Sequence, residues 1–231
     1  MKTILWEVDA QADFMLPGGK LYVPAAEKII PNLDRLVNLA RQGRTLLISS
    51  ADAHHPDDPE LREWPPHCLM GTPGAELIPQ GQASRQLIIP NQRDFSLPRD
   101  LGTYDQIILE KNTLDVFDNP NTEALLARLT GTSVTPSGAG PDFFVFGVVT
   151  EFCVRCAAAG LLRRGYRVVL VTDAIRSLDE KKGSEVLDEL QSQGARLTST
   201  QEVVEEAGGD SSPRELAQIR VEIRSLKEDG I

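Results

Sequence analysis

The stretch from Phe143 to Ala174, FFVFGVVTEFCVRCAAAGLLRRGYRVVLVTDA, constrains the fold more than any other. Phe143 to Val149 is an apolar, aromatic run with the length of a buried strand. Thr150 and Glu151 open a helix that closes at Gly165, a residue type favoured just past a helix end. A second apolar run follows from Val168 to Val171. Two strands joined by a helix form a right-handed βαβ unit of a parallel sheet. Cys153 falls in the first turn of that helix, just beyond the carboxyl end of a strand. Unpaired backbone N–H groups there favour negative charge and bias a thiol towards thiolate. Position alone suits a buried small residue equally well, so the rest of the chain has to decide.

The remaining elements follow the same alternation. Ile4 to Val8 reads as a strand that ends at Asp9-Ala10-Gln11-Ala12-Asp13-Phe14, two carboxylates ahead of Gly18-Gly19. Ala25 to Arg41 places Ile29, Leu33, Leu36, Val37 and Ala40 on one helical face, with Pro31 tolerable only if the regular helix starts late and Gly43 as its stop. Leu46–Ile48, Leu87–Ile89 and Gln106–Leu109 are short strands. Asp118-Asn119-Pro120 reads as the cap of a helix over Asn121–Leu129. Glu185–Gln193 is a helix with Val186, Leu187 and Leu190 inward, and Ala195–Ser199 is an edge strand. Beyond Gly208-Gly209 a charged helix is expected over Pro213–Lys227. The class is therefore α/β with a mainly parallel sheet.

The 231 residues suit one domain with a sizeable core. A formal charge of −10 argues against nucleic acid or an anionic membrane as partner. No apolar run is long enough to cross a bilayer, and Met1 to Ile4 leads straight into a strand, so no signal peptide is expected. Three cysteines, Cys68, Cys153 and Cys156, predict reduced thiols and a cytoplasmic location.

The segment Ser49–Pro79 is long, rich in proline, and carries all three histidines. Loops of this length are functional or disordered, and its tryptophan, methionine and prolines argue for order. Asp52 and His54 are two apart after a strand, so an extended backbone points them the same way, and His67 can return to meet them. One carboxylate and two imidazoles suit zinc, iron or manganese with open positions. His55 faces away if the backbone stays extended, and Cys68 reads as packing. Asp9, Asp52, Lys111 and Cys153 each follow a separate strand at its carboxyl end, where parallel sheets bind ligands.

In this arrangement the chain resembles the cysteine hydrolases of the isochorismatase-like superfamily, the group that contains nicotinamidases. The matching pieces are Val8-Asp9-Ala10-Gln11-Ala12-Asp13-Phe14, Asp52-Ala53-His54, Trp64-Pro65-Pro66-His67-Cys68 with Gly71-Thr72-Pro73-Gly74, Glu110-Lys111, and Gly147 through Val154. The resemblance covers about residues 1–207 and implies a three-layer α/β/α hydrolase domain there, with 208–231 as a helical extension packing on the domain or a neighbouring subunit. It implies a catalytic triad of Asp9, Lys111 and Cys153. It also implies a divalent metal, zinc first with iron or manganese as options, on Asp52, His54 and His67. A cis peptide between Val148 and Val149 is implied too, with the N–H groups of Val149 and Cys153 as an oxyanion hole. Phe14 and Trp64 would flank a small, flat amide substrate, and dimers or tetramers are expected. Ala53 stands where many nicotinamidases have tryptophan, and other small amides, ureides, carbamoyl compounds and isochorismate are substrates within the superfamily. Outside the hydrolases, Cys153-Val154-Arg155-Cys156 also resembles a dithiol redox motif, though it lacks Gly-Pro between its cysteines; a non-catalytic binding domain is the remaining alternative.

Overall fold

The computed structural model describes residues 3–131 and 140–209. Its centre is a seven-stranded sheet of β1 (Thr3–Val8), β2 (Leu46–Asp52), β3 (Gln86–Ile89), β4 (Gln106–Lys111), β5 (Asp142–Val148), β6 (Arg167–Arg176) and β7 (Arg196–Thr198). The spatial order is β3-β4-β2-β1-β5-β6-β7, and every pairing is parallel. The helices are α1 (Ala12–Met15), α2 (Ile30–Arg41), α3 (Thr122–Thr130), α4 (Arg155–Arg163), α5 (Glu180–Ser192) and α6 (Thr200–Gly209).

Parallel crossovers are right-handed, so the direction of travel decides which face a helix covers. The chain runs one way from β1 through α2 to β2, and the opposite way from β5 through α4 to β6 and α5 to β7. Hence α2 lies on one face, while α4 and α5 pack together on the other. The last helix, α6, crosses back to lie on α2. The outcome is the expected three-layer α/β/α arrangement. Strands covered on both faces must be apolar along their whole length. Accordingly β1 is buried from Ile4 to Val8, and β5 throughout. Trp6 anchors this core between Phe117 and Phe143, with ring centroids 6.2 and 6.0 Å away.

Several boundaries differ from the sequence-based expectation in ways that matter. A 3₁₀ turn, Ala26–Ile29, precedes α2, which puts Pro31 in the first turn of the regular helix as its missing N–H requires. Strands β2 and β4 run on to Asp52 and Lys111, so both residues belong to strands rather than to the loops after them. Asn119 does not cap α3: its amide donates to the carbonyls of Ile89, Pro90 and Glu110 and ties strand ends together. Helix α5 begins earlier, at Glu180, because the Asp179 carboxylate accepts from the N–H groups of Lys181 and Lys182. Helix α6 is absent from the sequence-based reading. The helix expected over Pro213–Lys227 lies outside the described residues. Among those described, no helix is long and apolar enough to cross a membrane.

Candidate active site

The strand order reverses about β1, which sits between β2 and β5. At such a switch point the flanking connections diverge and leave a crevice beyond the carboxyl ends of the strands. The four neighbouring strands β4, β2, β1 and β5 deliver Lys111, Asp52, Asp9 and Cys153 to that crevice. Asp52 and Lys111 are direct register partners, as are Val8 and Gly147.

Each local conformation serves this delivery. Asp9 leaves β1 with φ of 50°, which turns its side chain out of the strand alternation. Its Oδ1 accepts a hydrogen bond of 2.7 Å from Ser50 Oγ on β2. Gly147 has φ of 114°, and a Cβ there would sit 2.1 Å from the Val8 carbonyl oxygen, so only glycine fits between β5 and β1. The Val148–Val149 peptide is cis, as the resemblance implies. The chain then makes a π-helical turn, Thr150–Val154, before α4; the N–H groups of Phe152 and Val154 both donate to the Val149 carbonyl at 3.1 Å. Cys153 lies in this wide turn. Gly165, with φ of 77°, ends the helix as expected.

Lys111 is the electrostatic hub. Its ammonium is 2.9 Å from Asp9 Oδ2 and 3.6 Å from Cys153 Sγ, and it also bonds Asp52 Oδ1. All four residues are buried. Burial works against the Lys111 charge, but Asp52, Asp9 and Cys153 overrule it and hold the ammonium well above its ordinary range. Burial would also neutralise Asp52; Lys111 and the imidazoles of His54 and His67 keep it an anion, well below the carboxylate range. Burial pushes Asp9 up against the pull of Lys111, with Asp52 adding to the rise. The Cys153 thiol corrects an expectation. Burial raises it, Asp9 and Asp52 raise it further, and together they outweigh Lys111. The surroundings of Cys153 thus hold its thiol above the ordinary range, beside a carboxyl of raised basicity.

Next to Asp9, Lys111 and Cys153, the side chains of His54, His67, Asp52 and Glu60 bring one ligand-type atom each to within 4.8 Å of one another. Nε2 of His54 and of His67 lie 3.6 and 3.5 Å from Asp52 Oδ2. Their other ring nitrogens are committed: His67 Nδ1 donates to the Pro65 carbonyl at 2.7 Å, and His54 Nδ1 faces Asp58 Oδ2 at 3.3 Å. Such outer contacts select the tautomer that leaves Nε2 free as a ligand. Nε2 of His54 is fully buried and has no hydrogen-bond partner, which is costly unless an ion completes it. The donor set therefore fits a divalent cation. His55 is exposed and lies outside the cluster. Glu60 is absent from the sequence-based expectation, although it is a carboxylate in the loop that separates His54 from His67. Cys68 is buried packing; its N–H donates to Asp13, whose carboxylate also accepts from Lys20 N–H.

A narrow pocket of about 350 Å³, its open mouth included, gives access to both groups. Cys153, Val149, Asp52, His67 and Glu60 line its floor, and Phe14, Leu21, Trp64, Leu114, Phe152 and Leu178 its walls. Phe14 packs edge-on against His67 at 5.3 Å, and Trp64 against Phe152 at 5.3 Å. Of the expected site residues, Phe14, Asp52, Trp64, His67, Val149 and Cys153 line this cavity, while Asp9, Lys111 and His54 lie buried behind it.

Comparison with known proteins agrees with this geometry. The isochorismatase domain profile matches residues 3–93 and 82–202. The chain is 27% identical over 191 residues to a nicotinamidase of Acinetobacter baylyi, covering 74% of this chain and 80% of that protein. It is 23% identical over 212 residues to the Escherichia coli nicotinamidase, covering 82% and 91%. Among solved structures, the pyrazinamidase of Pyrococcus horikoshii in complex with zinc superposes with a TM-score of 0.65 at 28% identity, covering 86% of this chain and 99% of that one. With the profile spanning most of the sheet and every strand end that carries the site, the chain belongs to the isochorismatase family.

Proposed function

We propose that the protein is a metal-containing cysteine amidohydrolase that cleaves a small, flat amide through a thioester, with nicotinamide, giving nicotinate and ammonia, as the first substrate to test. The observation that carries this reading is the buried convergence of the Asp9 carboxyl and Cys153 Sγ on the Lys111 ammonium, with Cys153 lining a pocket shared with Asp52, His67 and Glu60. The names of its relatives support the choice of substrate, and the apolar walls suit an uncharged ring. Asp9 and Lys111 converge on Cys153, while Cys156 lines a different cavity with Asp115 and Glu189, which speaks against a dithiol pair.

In this mechanism Asp9 takes the Cys153 proton as sulfur bonds to the carbonyl carbon. A carboxyl whose basicity burial raises suits the task of taking up a proton. The N–H groups of Val149 and Cys153 receive the developing oxyanion; one such donor is worth about 10²–10³ in rate. Lys111 holds Asp9 in place and balances negative charge as it moves between carboxylate and sulfur. Asp9 then gives its proton to the departing nitrogen, and ammonia leaves. Water attacks the thioester, Asp9 accepts its proton, the carbon–sulfur bond breaks, and the proton returns to sulfur with release of the acid. Asp52, His54 and His67, with Glu60 as a further donor, would hold a divalent ion; when bound, it supplies a Lewis-acidic contact that orients a ring nitrogen or water. Zinc is the first choice, given imidazole and carboxylate donors and the zinc complex of the related pyrazinamidase.

Ammonia release measured over nicotinamide, pyrazinamide, ureides and simple amides tests the proposal. Turnover of nicotinamide or pyrazinamide that Cys153→Ala abolishes is the expected result. Turnover confined to ureides or carbamoyl compounds would reassign the substrate, and none from any of them would reject the hydrolase reading.

A further inference from the structure

The pocket wall formed by Leu178 belongs to the segment between β6 and α5, and that segment is fixed unusually firmly. Both oxygens of the Glu151 carboxylate accept from its backbone: Oε1 from Asp179 N–H at 2.6 Å and Oε2 from Leu178 N–H at 3.3 Å. Glu151 itself lies in the π-helical turn, two residues before Cys153. The next residue, Asp179, caps α5. Gly183, in the first turn of α5, leaves no room for a Cβ, which would lie 2.0 Å from Ser177 Oγ. Arg176 adds a bond of 3.1 Å from Nε to the carbonyl of Pro24. One half-buried carboxylate thus joins the turn that carries the sulfur to a second part of the same pocket's lining.

We propose that Glu151 is a positioning residue and Leu178 the size-determining part of the lining it holds, so that the room Leu178 leaves in the pocket is set through this tether. A carboxylate suits the role because it offers two acceptors to two successive N–H groups, and charged acceptors form the stronger bonds. Glutamine presents only one acceptor and sets an N–H₂ against a donor. Without the tether the segment keeps its α5 cap but loses its register against the π turn. Small amides would then bind less well, and bulkier ones would enter. The inference rests on Cys153 being the nucleophile of an amide hydrolase.

The test uses the full-length, metal-loaded protein with nicotinamide and a series of ring-methylated nicotinamides, and compares wild type, Glu151→Gln, Glu151→Ala, Leu178→Ala and Cys153→Ala. For nicotinamide, Glu151→Ala is expected to raise KM about tenfold with kcat changed much less, the pattern of lost binding rather than lost chemistry. Glu151→Gln should fall between it and wild type. The preference for nicotinamide over a methylated ring should relax by about tenfold in both Glu151→Ala and Leu178→Ala, since one methyl in a fitted pocket is worth about that factor or more. Their double mutant should relax it little further, because both act on one wall. The pH profile should stay where it is. Unchanged selectivity in Glu151→Ala, or a selectivity change that adds in full to that of Leu178→Ala, would overturn the proposal. So would a shifted pH profile, which would make Glu151 an electrostatic partner of the thiol. If Glu151→Ala proves too unstable to assay, Leu178→Ala and Glu151→Gln carry the same comparison. Absence of turnover in wild type, or its survival in Cys153→Ala, would strike the hydrolase reading instead.

Discussion

Two cysteines three residues apart have different surroundings, and the difference is electrostatic. Cys153 is buried against Lys111 and Asp9, whereas Cys156 is half-buried in a separate cavity with Arg155, Arg163 and Glu189. Cys153→Ala is expected to abolish ammonia release, and Cys156→Ala to leave kcat/KM within about threefold; equal losses from both would favour dithiol chemistry. Glu7 illustrates a second single-residue effect. Burial in β1 raises its carboxyl to about 8, against the hydrogen bond from Ser49 and the charge of Arg41, which lower it. A carboxyl raised in the folded state contributes its full stability below the unfolded value of 4.5 and loses it as pH climbs towards 8. The loss runs at about 1.4 kcal/mol per pH unit. Glu7→Gln keeps the shape and an acceptor for Ser49 without the ionisation. Denaturant unfolding at pH 5 and pH 8.5 should show a smaller stability difference in the variant than in wild type. Parallel pH profiles would mean that Glu7 does not stay protonated in the fold. None of this burial was legible in the sequence, where Glu7 only interrupts an apolar run. The same blind spot explains the thiol: position and a nearby lysine pointed to an anion, but the depth of Cys153 and the nearness of two carboxylates required coordinates.

Among the elements, the connection from β2 to β3 shows how a long loop becomes a site. It is held by short parallel bridging between His54 and Leu69, and by antiparallel bridging between Gln11 and Leu77. The Gln11 side chain clamps both Asp52 and Ala75: its Nε2 donates to their carbonyls at 2.7 Å, and its Oε1 accepts from Asp52 N–H at 2.7 Å. Asp13 reaches across to Cys68 N–H at 2.8 Å. What these bonds leave unsettled is the interior of the cluster, where the orphaned Nε2 of His54 faces Asp52. Removing the ion with a chelator should therefore abolish turnover and speed amide exchange across residues 54–75, while β5 stays protected; added zinc should reverse both. Any ligand that binds only the folded form stabilises it in this way. Exchange that does not respond to chelation would mean that the loop is ordered by its hydrogen bonds alone. The histidines of this loop were legible because an extended strand end places residues two apart on one side. Glu60 offered only its residue type and its place between His54 and His67, since it comes from a 3₁₀ turn, Pro59–Arg62, whose direction no periodicity reveals. For α6 the signal was present. Ser199 and Glu202 form a reciprocal capping box, with Glu202 Oε2 accepting from Ser199 N–H at 2.8 Å and Ser199 Oγ from Glu202 N–H at 3.3 Å.

At the scale of the whole molecule, the alternation of apolar runs with amphipathic helices was enough to specify a parallel α/β sheet, because strands covered on both faces have almost no freedom in composition. The strand order is another matter. It depends on where the chain goes after β4, and no residue in that connection announces the step past β2 and β1 to the other side of the sheet. The site shares that dependence: its residues lie at strand ends in any order, but they meet only because β4, β2, β1 and β5 are neighbours. It also bears on the C-terminal segment. Every described residue that lines the pocket falls between Phe14 and Leu178, Asp9, Lys111 and Cys153 lie well before the C-terminal segment, and α6 lies on α2 and runs to Gly209. The family profile, too, ends at residue 202. A chain ending at Gly209 is therefore expected to fold, to unfold within about 4 °C of the full chain, a shift on the order of 1 kcal/mol or less for a domain of this size, and to retain kcat/KM per subunit within about twofold. Thermal unfolding and steady-state kinetics on the truncated protein check this, with sedimentation velocity run alongside. Loss of activity together with a smaller sedimenting species would show that the segment builds an assembly on which the pocket depends. Loss without any change in assembly would show that it reaches the pocket directly. Retention of both would confine catalysis to the sheet and the helices that cover it.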